Sequence, residues 1–89
     1  MTSCAHVYFS GRVQGVGFRY QTCRTAQNYE VSGYVRNLPD GRVEIEVEGE
    51  RLEIDAFISA VTKRMEGFIM KVEESRSTRE RIFSGFEIR

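Results

Sequence analysis

"VSGYVRNLPDGRVEIEVEG" (31–49) decides the fold. Val43, Ile45 and Val47 alternate with Glu44, Glu46 and Glu48, the pattern of a strand with one buried and one wet face. Before it, "PDG" (39–41) is a turn: proline presets φ, aspartate caps locally and glycine supplies a positive φ. "VSGYVRNL" (31–38) reads as the partner strand, so the stretch predicts an antiparallel hairpin. Beyond it, "RLEIDAFISAVTKRM" (51–65) spaces Ile54, Phe57, Ile58, Val61 and Met65 along one face of a helix, with Lys63 and Arg64 suiting the dipole at its end. "FIMKVEES" (68–75) and "FSGFEIR" (83–89) read as a fourth and a fifth strand. On the N-terminal side, "HVYFSGRV" (6–13) is a strand, and "FRYQTCRTAQN" (18–28) a helix with a weak apolar stripe of Phe18, Cys23 and Ala26. The order β-α-β-β-α-β plus a short terminal strand predicts an α+β, ferredoxin-like sandwich, an antiparallel sheet with two helices on one face. The glutamate row is expected to face water on the open side.

At 89 residues, 40% hydrophobic and 29% charged, the chain has the composition of one folded domain, residues 1–89. Its formal net charge is zero, so no global field recruits nucleic acid or an anionic membrane. No apolar run approaches the roughly 20 residues of a membrane span, and no secretory signal follows Met1. A cytoplasmic monomer is the expectation. Charge is nevertheless uneven. Arg12, Arg19, Arg24, Arg36 and Arg42 precede Glu44 with only Glu30 and Asp40 against them, which favours anions in the first half. Cys4 and Cys23 are expected to stay unbridged in a reducing compartment. Together with the lone His6 they supply too few ligands for a metal site.

Between the first strand and the first helix lies "GRVQGVGFR" (11–19), with glycines at 11, 15 and 17. This is neither the dinucleotide fingerprint nor a P-loop, but the physics is shared. Glycines let successive N–H groups turn inward as a concave nest, and the first turn of a helix adds unpaired donors at a positive dipole end. Spacing alone leaves an anion site and a structural tight turn equally open. Arg19 favours the anion site, because a cation at a helix N-terminus opposes the dipole while its planar fork of donors suits phosphate.

With "GYVRNLPDGRVEIEVEG" (33–49) downstream and "FSGFEIR" (83–89) at the end, the chain resembles the acylphosphatase family. The resemblance implies a ferredoxin-like domain that hydrolyses carboxyl-phosphate anhydrides without metal or other cofactor. It further implies that the backbone of Gly15, Val16, Gly17 and Phe18 cradles the phosphoryl group. Arg19 would then bind phosphate and Asn37 would position the attacking water. The implied partner is a small-molecule acyl phosphate, with inorganic phosphate as product and competitive inhibitor. The chemistry suits these residues. The leaving carboxylate has a conjugate acid of pKa near ~4 and needs no general acid, and phosphoryl transfer asks mainly for positioning and charge stabilisation. Two segments depart from the family's pattern. Tyr29-Glu30-Val31 stands where leucine-glycine-leucine is common, so Glu30 is expected to occupy a left-handed helix end and Glu30→Gly to stabilise. Residues 65–82 lack the usual proline and small residues, and the sequence shows no pocket for the acyl group.

RNA binding by an RRM-like fold shares the element order, and "VYFSG" (7–11) resembles its aromatic first strand. Glu44, Glu46 and Glu48 argue against it, because the third strand of such a fold presents stacking aromatics. A non-catalytic interaction module is argued against by the intact Arg19 and Asn37. His6 is expected at the surface, Arg36 and Arg42 as solvated hairpin charges, and Tyr20 and Tyr34 as packing residues.

Overall fold

The computed structural model describes residues 1–89 and forms β1 (Thr2–Gly11), α1 (Phe18–Ala26), β2 (Val31–Asn37), β3 (Val43–Gly49), α2 (Arg51–Arg64), β4 (Ile69–Arg79) and β5 (Phe86–Ile88). The hairpin has the expected pairing, from Val31 opposite Gly49 to Asn37 opposite Val43. Its turn closes through Leu38 N–H to Arg42 O (2.8 Å) and Gly41 N–H to Leu38 O (3.1 Å). Asp40 Oδ1 accepts from Arg42 N–H at 3.1 Å, the local cap that "PDG" predicts.

The sheet order is β4-β1-β3-β2-β5. The first four strands are antiparallel to their neighbours, whereas β5 pairs in parallel with β2, so the sheet is mixed rather than wholly antiparallel. Chain direction explains this. Strand β4 runs against β1, which has the same direction as β2. Crossing residues 80–85 to the far edge and returning reverses the chain once more, so β5 runs along β2. Strand β4 also extends to Arg79, past the expected end at 75.

One face of the sheet carries Ala5, Val7, Phe9, Val35, Val43, Ile45 and Val47, all buried with Phe18, Ile54, Phe57 and Val61 of the two helices. The weak stripe of α1 is completed by threonines. Thr22 and Thr25 are buried and return their hydroxyls to Phe18 O and Gln21 O, both at 2.8 Å, so a polar residue enters the core satisfied. Cys23 packs at the margin of this core. Cys4 lies on the opposite face of the sheet beside Ser77 (2.9 Å), and both thiols are free.

The glutamate row lies on the helix-free face, as expected, but it does not face water. Glu44 is 4% and Glu48 only 1% exposed. Glu44 binds His6 Nε2 at 2.6 Å and the Arg36 guanidinium, so neither partner is a free surface charge. Arg79 donates to Glu48 Oε1 at 2.8 Å and to Glu46 Oε2 at 2.6 Å, and Ile82 N–H donates to Glu48 at 3.1 Å. Burial pushes the Glu44 and Glu48 carboxyls up, but these hydrogen bonds outweigh it and hold both below the usual range. Alternation along β3 reports which face a side chain takes, not what covers that face.

The end of α1 differs from expectation. No residue other than glycine has a positive φ, so Glu30 is not a left-handed cap. The chain leaves α1 through right-handed Gln27, and Glu30 N–H donates to Glu53 Oε1 at 2.7 Å, an anchor on α2 that replaces the glycine turn.

Candidate active site

Strands β1 and β2 flank β3 and each pairs antiparallel with it, so they run in the same direction and end at one edge of the sheet. That topology brings the glycine loop after β1 next to Asn37, the last residue of β2. A pocket of about 240 Å³ opens there, lined among others by Gly15, Gly17, Phe18, Arg19 and Asn37. The side chain of Val16 packs instead toward the core.

Val13 and Phe18 are buried and pin both ends of the loop, with the Phe18 ring 5.1 Å from that of Phe9. Between these anchors Gly15 (φ 77°) and Gly17 (φ 81°) take left-handed backbone angles. A Cβ at either would meet open space, so the glycines serve backbone conformation, not close packing. No N–H from Gly15 to Tyr20 finds an acceptor within the chain; Gln21 N–H, bonded to Gly17 O at 3.0 Å, is the first that does. Helix α1 has neither a capping side chain nor an acid in its first turn. The arrangement is a row of free donors at a positive helix end, the electrostatic complement of an oxyanion group.

Arg19 is exposed at the pocket. Arg36, Arg42, Arg76 and Arg79 are held by carboxylates, whereas Arg19 has no acidic partner and its fork is free. Asn37 Oδ1 is buried without any protein donor, and Asn37 lines the same pocket. The structure thus brings all the expected site residues to one end of the sheet.

Three features were not apparent from the sequence. Gln14 Nε2 donates to Leu38 O at 2.8 Å and Arg42 O at 3.0 Å, lacing the loop to the turn that follows Asn37. Its signal was confined to being the one uncharged polar side chain of the loop. Ile88 of β5 lines the pocket, and so does Tyr20, which is 56% exposed and not the packing residue expected. Tyr34 does pack. On the open face, Arg42 lies 4.4 Å from the Tyr8 ring centroid and Arg89 4.7 Å from that of Tyr34. Arg42 is therefore no freely solvated charge, and the rings an RNA base would stack on are already covered.

Fold and site together define a ferredoxin-like α+β protein with a backbone anion cradle at one end of its sheet. A family model described as Acylphosphatase matches residues 5–88, and the chain belongs to that family. An acylphosphatase of Syntrophotalea carbinolica is 40% identical over 88 residues, covering 93% of this chain and 91% of the relative. One from Archaeoglobus fulgidus is 60% identical over 55 residues, 62% of each chain, so that alignment spans less than two thirds of the relative's length. The crystal structure of the Bacillus subtilis acylphosphatase superposes with a TM-score of 0.86 at 31% identity, covering 97% of both chains.

Proposed function

We propose that the chain hydrolyses acyl phosphates to a carboxylate and inorganic phosphate, with no metal or cofactor. This reading rests on the row of unpaired N–H groups from Gly15 to Phe18, at a pocket that Asn37, with its unpartnered carboxamide oxygen, also lines. The N–H row and the Arg19 fork hold the phosphoryl oxygens, whose charge is spread as the transition state forms. Asn37 Oδ1 accepts one O–H of a water and leaves a lone pair of that water for phosphorus. The water oxygen bonds to phosphorus as the bond from phosphorus to the acyl oxygen breaks, and the electron pair leaves on the carboxylate. That group is a stable anion at neutral pH and needs no protonation. A neutral amide is a poor base, so the water's proton passes to a phosphoryl oxygen and the products are carboxylate and dihydrogen phosphate.

The chain acts on a small molecule as a monomer. Its free thiols support a reducing, cytoplasmic setting, and no helix is long and apolar enough to cross a membrane. The test is purified protein with a synthetic aromatic acyl phosphate, assayed with and without EDTA and with added inorganic phosphate. Hydrolysis indifferent to chelator and competitively inhibited by phosphate is expected. Activity lost in EDTA and restored by a divalent ion would overturn the metal-free reading.

A further inference from the structure

Seven large hydrophobic residues of this molecule are exposed, and two of them line the pocket at the cradle. Tyr20 is 56% and Ile88 47% exposed, and both line the pocket that holds Arg19 and Asn37. They come from different elements. Tyr20 sits in the first turn of α1, immediately after Arg19. Ile88 lies opposite Val35 at the end of β5, on the side of the sheet that faces the helices. The Arg24 guanidinium lies 5.9 Å from the Tyr20 ring centroid, and Arg24 Nη1 donates to the Tyr20 hydroxyl at 3.2 Å. The only charged side chain lining the pocket is Arg19.

We infer that Tyr20 and Ile88 form the acyl-group platform of the site and select acyl phosphates whose acyl portion is apolar, aromatic above all. The inference rests on the proposed hydrolysis of acyl phosphates. A phosphoryl group seated on the N–H row occupies Arg19. The acyl group attached to it then leaves the cradle through a rim that offers a tyrosine face on one wall and an aliphatic side chain on the other. An aromatic acyl group removes both from water and gains an offset or edge contact with the ring. A second carboxylate on the acyl group finds no free cation in the pocket, and a one-carbon methyl tail covers little of either wall. The short strand β5 thereby acquires a job beyond closing the sheet edge, since it presents Ile88 to the substrate.

The test compares benzoyl phosphate with acetyl phosphate, each measured as kcat/KM on the full chain, in wild type and in Tyr20→Ser, Ile88→Ser and Tyr20→Phe. Both serine variants replace exposed side chains, and circular dichroism checks that they are folded. Wild type should favour benzoyl phosphate, and each serine variant should lower the benzoyl-to-acetyl ratio by about fivefold or more, the scale on which apolar pockets discriminate. Tyr20→Phe keeps the ring and should keep the ratio. The inhibition constant of inorganic phosphate, which has no acyl group, should stay within about twofold throughout. An unchanged ratio in the serine variants would overturn the platform, as would a ratio that falls only in step with lost phosphate binding. If neither acyl phosphate is hydrolysed by wild type, the acyl phosphate reading itself fails, and the platform with it.

Discussion

Arg19 and Asn37 reach the pocket from different elements and in different electrical states, one a free cation and the other a buried neutral acceptor. Their losses should therefore differ. Arg19→Gln should weaken inorganic phosphate in calorimetry and lower turnover too, because the proposed role has the fork contact phosphoryl oxygens in ground and transition states alike. Asn37→Ala should lose turnover by on the order of 100-fold while phosphate affinity stays within about threefold, since a positioned water is felt mainly in the transition state. Equal loss of phosphate binding in both would end that division of labour. Gln14 laces the loop to the hairpin turn, and Gln14→Met preserves its length while removing both donors to Leu38 O and Arg42 O. About a tenfold fall in kcat with little change in KM or in phosphate affinity is expected, because the loop's own N–H row survives while its alignment with Asn37 loosens. The donors and the arginine were legible in the sequence, since glycine spacing and a helix start are local properties. Gln14 was not, because its acceptors lie 24 and 28 positions away and no local pattern marks a side chain bonding distant carbonyls.

The hairpin, the order of elements and the helical face of α2 could all be read from periodicity, which is fixed by neighbours a few residues apart. What periodicity missed is long-range. Residues 80–85 cross the open face, where Glu48 accepts from Ile82 N–H and Arg79, and that covering turns an apparently wet glutamate into a buried one. Glu48→Ala should lower stability by about 2–3 kcal/mol, since it orphans a buried cluster rather than a surface pair. The denaturation midpoint measures the loss, and the Ile82 amide should lose hydrogen-exchange protection ahead of the amides of β1 and β3. Undiminished protection at Ile82 would mean that Glu48 does not hold the crossing. The end of α1 misled for a similar reason. A right-handed exit anchored on Glu53 has no local signature, so the family's glycine suggested a left-handed residue. With Glu30 at negative φ, Glu30→Gly should leave stability unchanged or lower it by up to about 1 kcal/mol, seen as an unchanged or lowered midpoint, through the greater freedom of glycine in the unfolded chain. A raised midpoint would contradict the observed backbone.

Across the molecule, the carboxyls of Glu44 and Glu48 are held below their usual range in the folded state and return to it on unfolding. The unfolded chain then binds more protons just below the ordinary glutamate value of about 4.5, so stability rises with pH through that window. Their contribution is complete above it and is lost as pH falls through the folded values. Thermal unfolding followed from pH 7 to pH 3 should show a midpoint that drops below about pH 4.5, and Glu44→Gln with Glu48→Gln should flatten the drop while lowering stability at neutral pH. The fold turns this ion-paired face away from the proposed site, which lies at one sheet end with its free N–H row, Arg19 and Asn37. The central claim is that water is delivered there to phosphorus. Single-turnover hydrolysis of benzoyl phosphate in water enriched in oxygen-18 tests it most directly. The label should enter inorganic phosphate and leave benzoate unlabelled; label in benzoate would place the attack on the acyl carbon and overturn the proposed step.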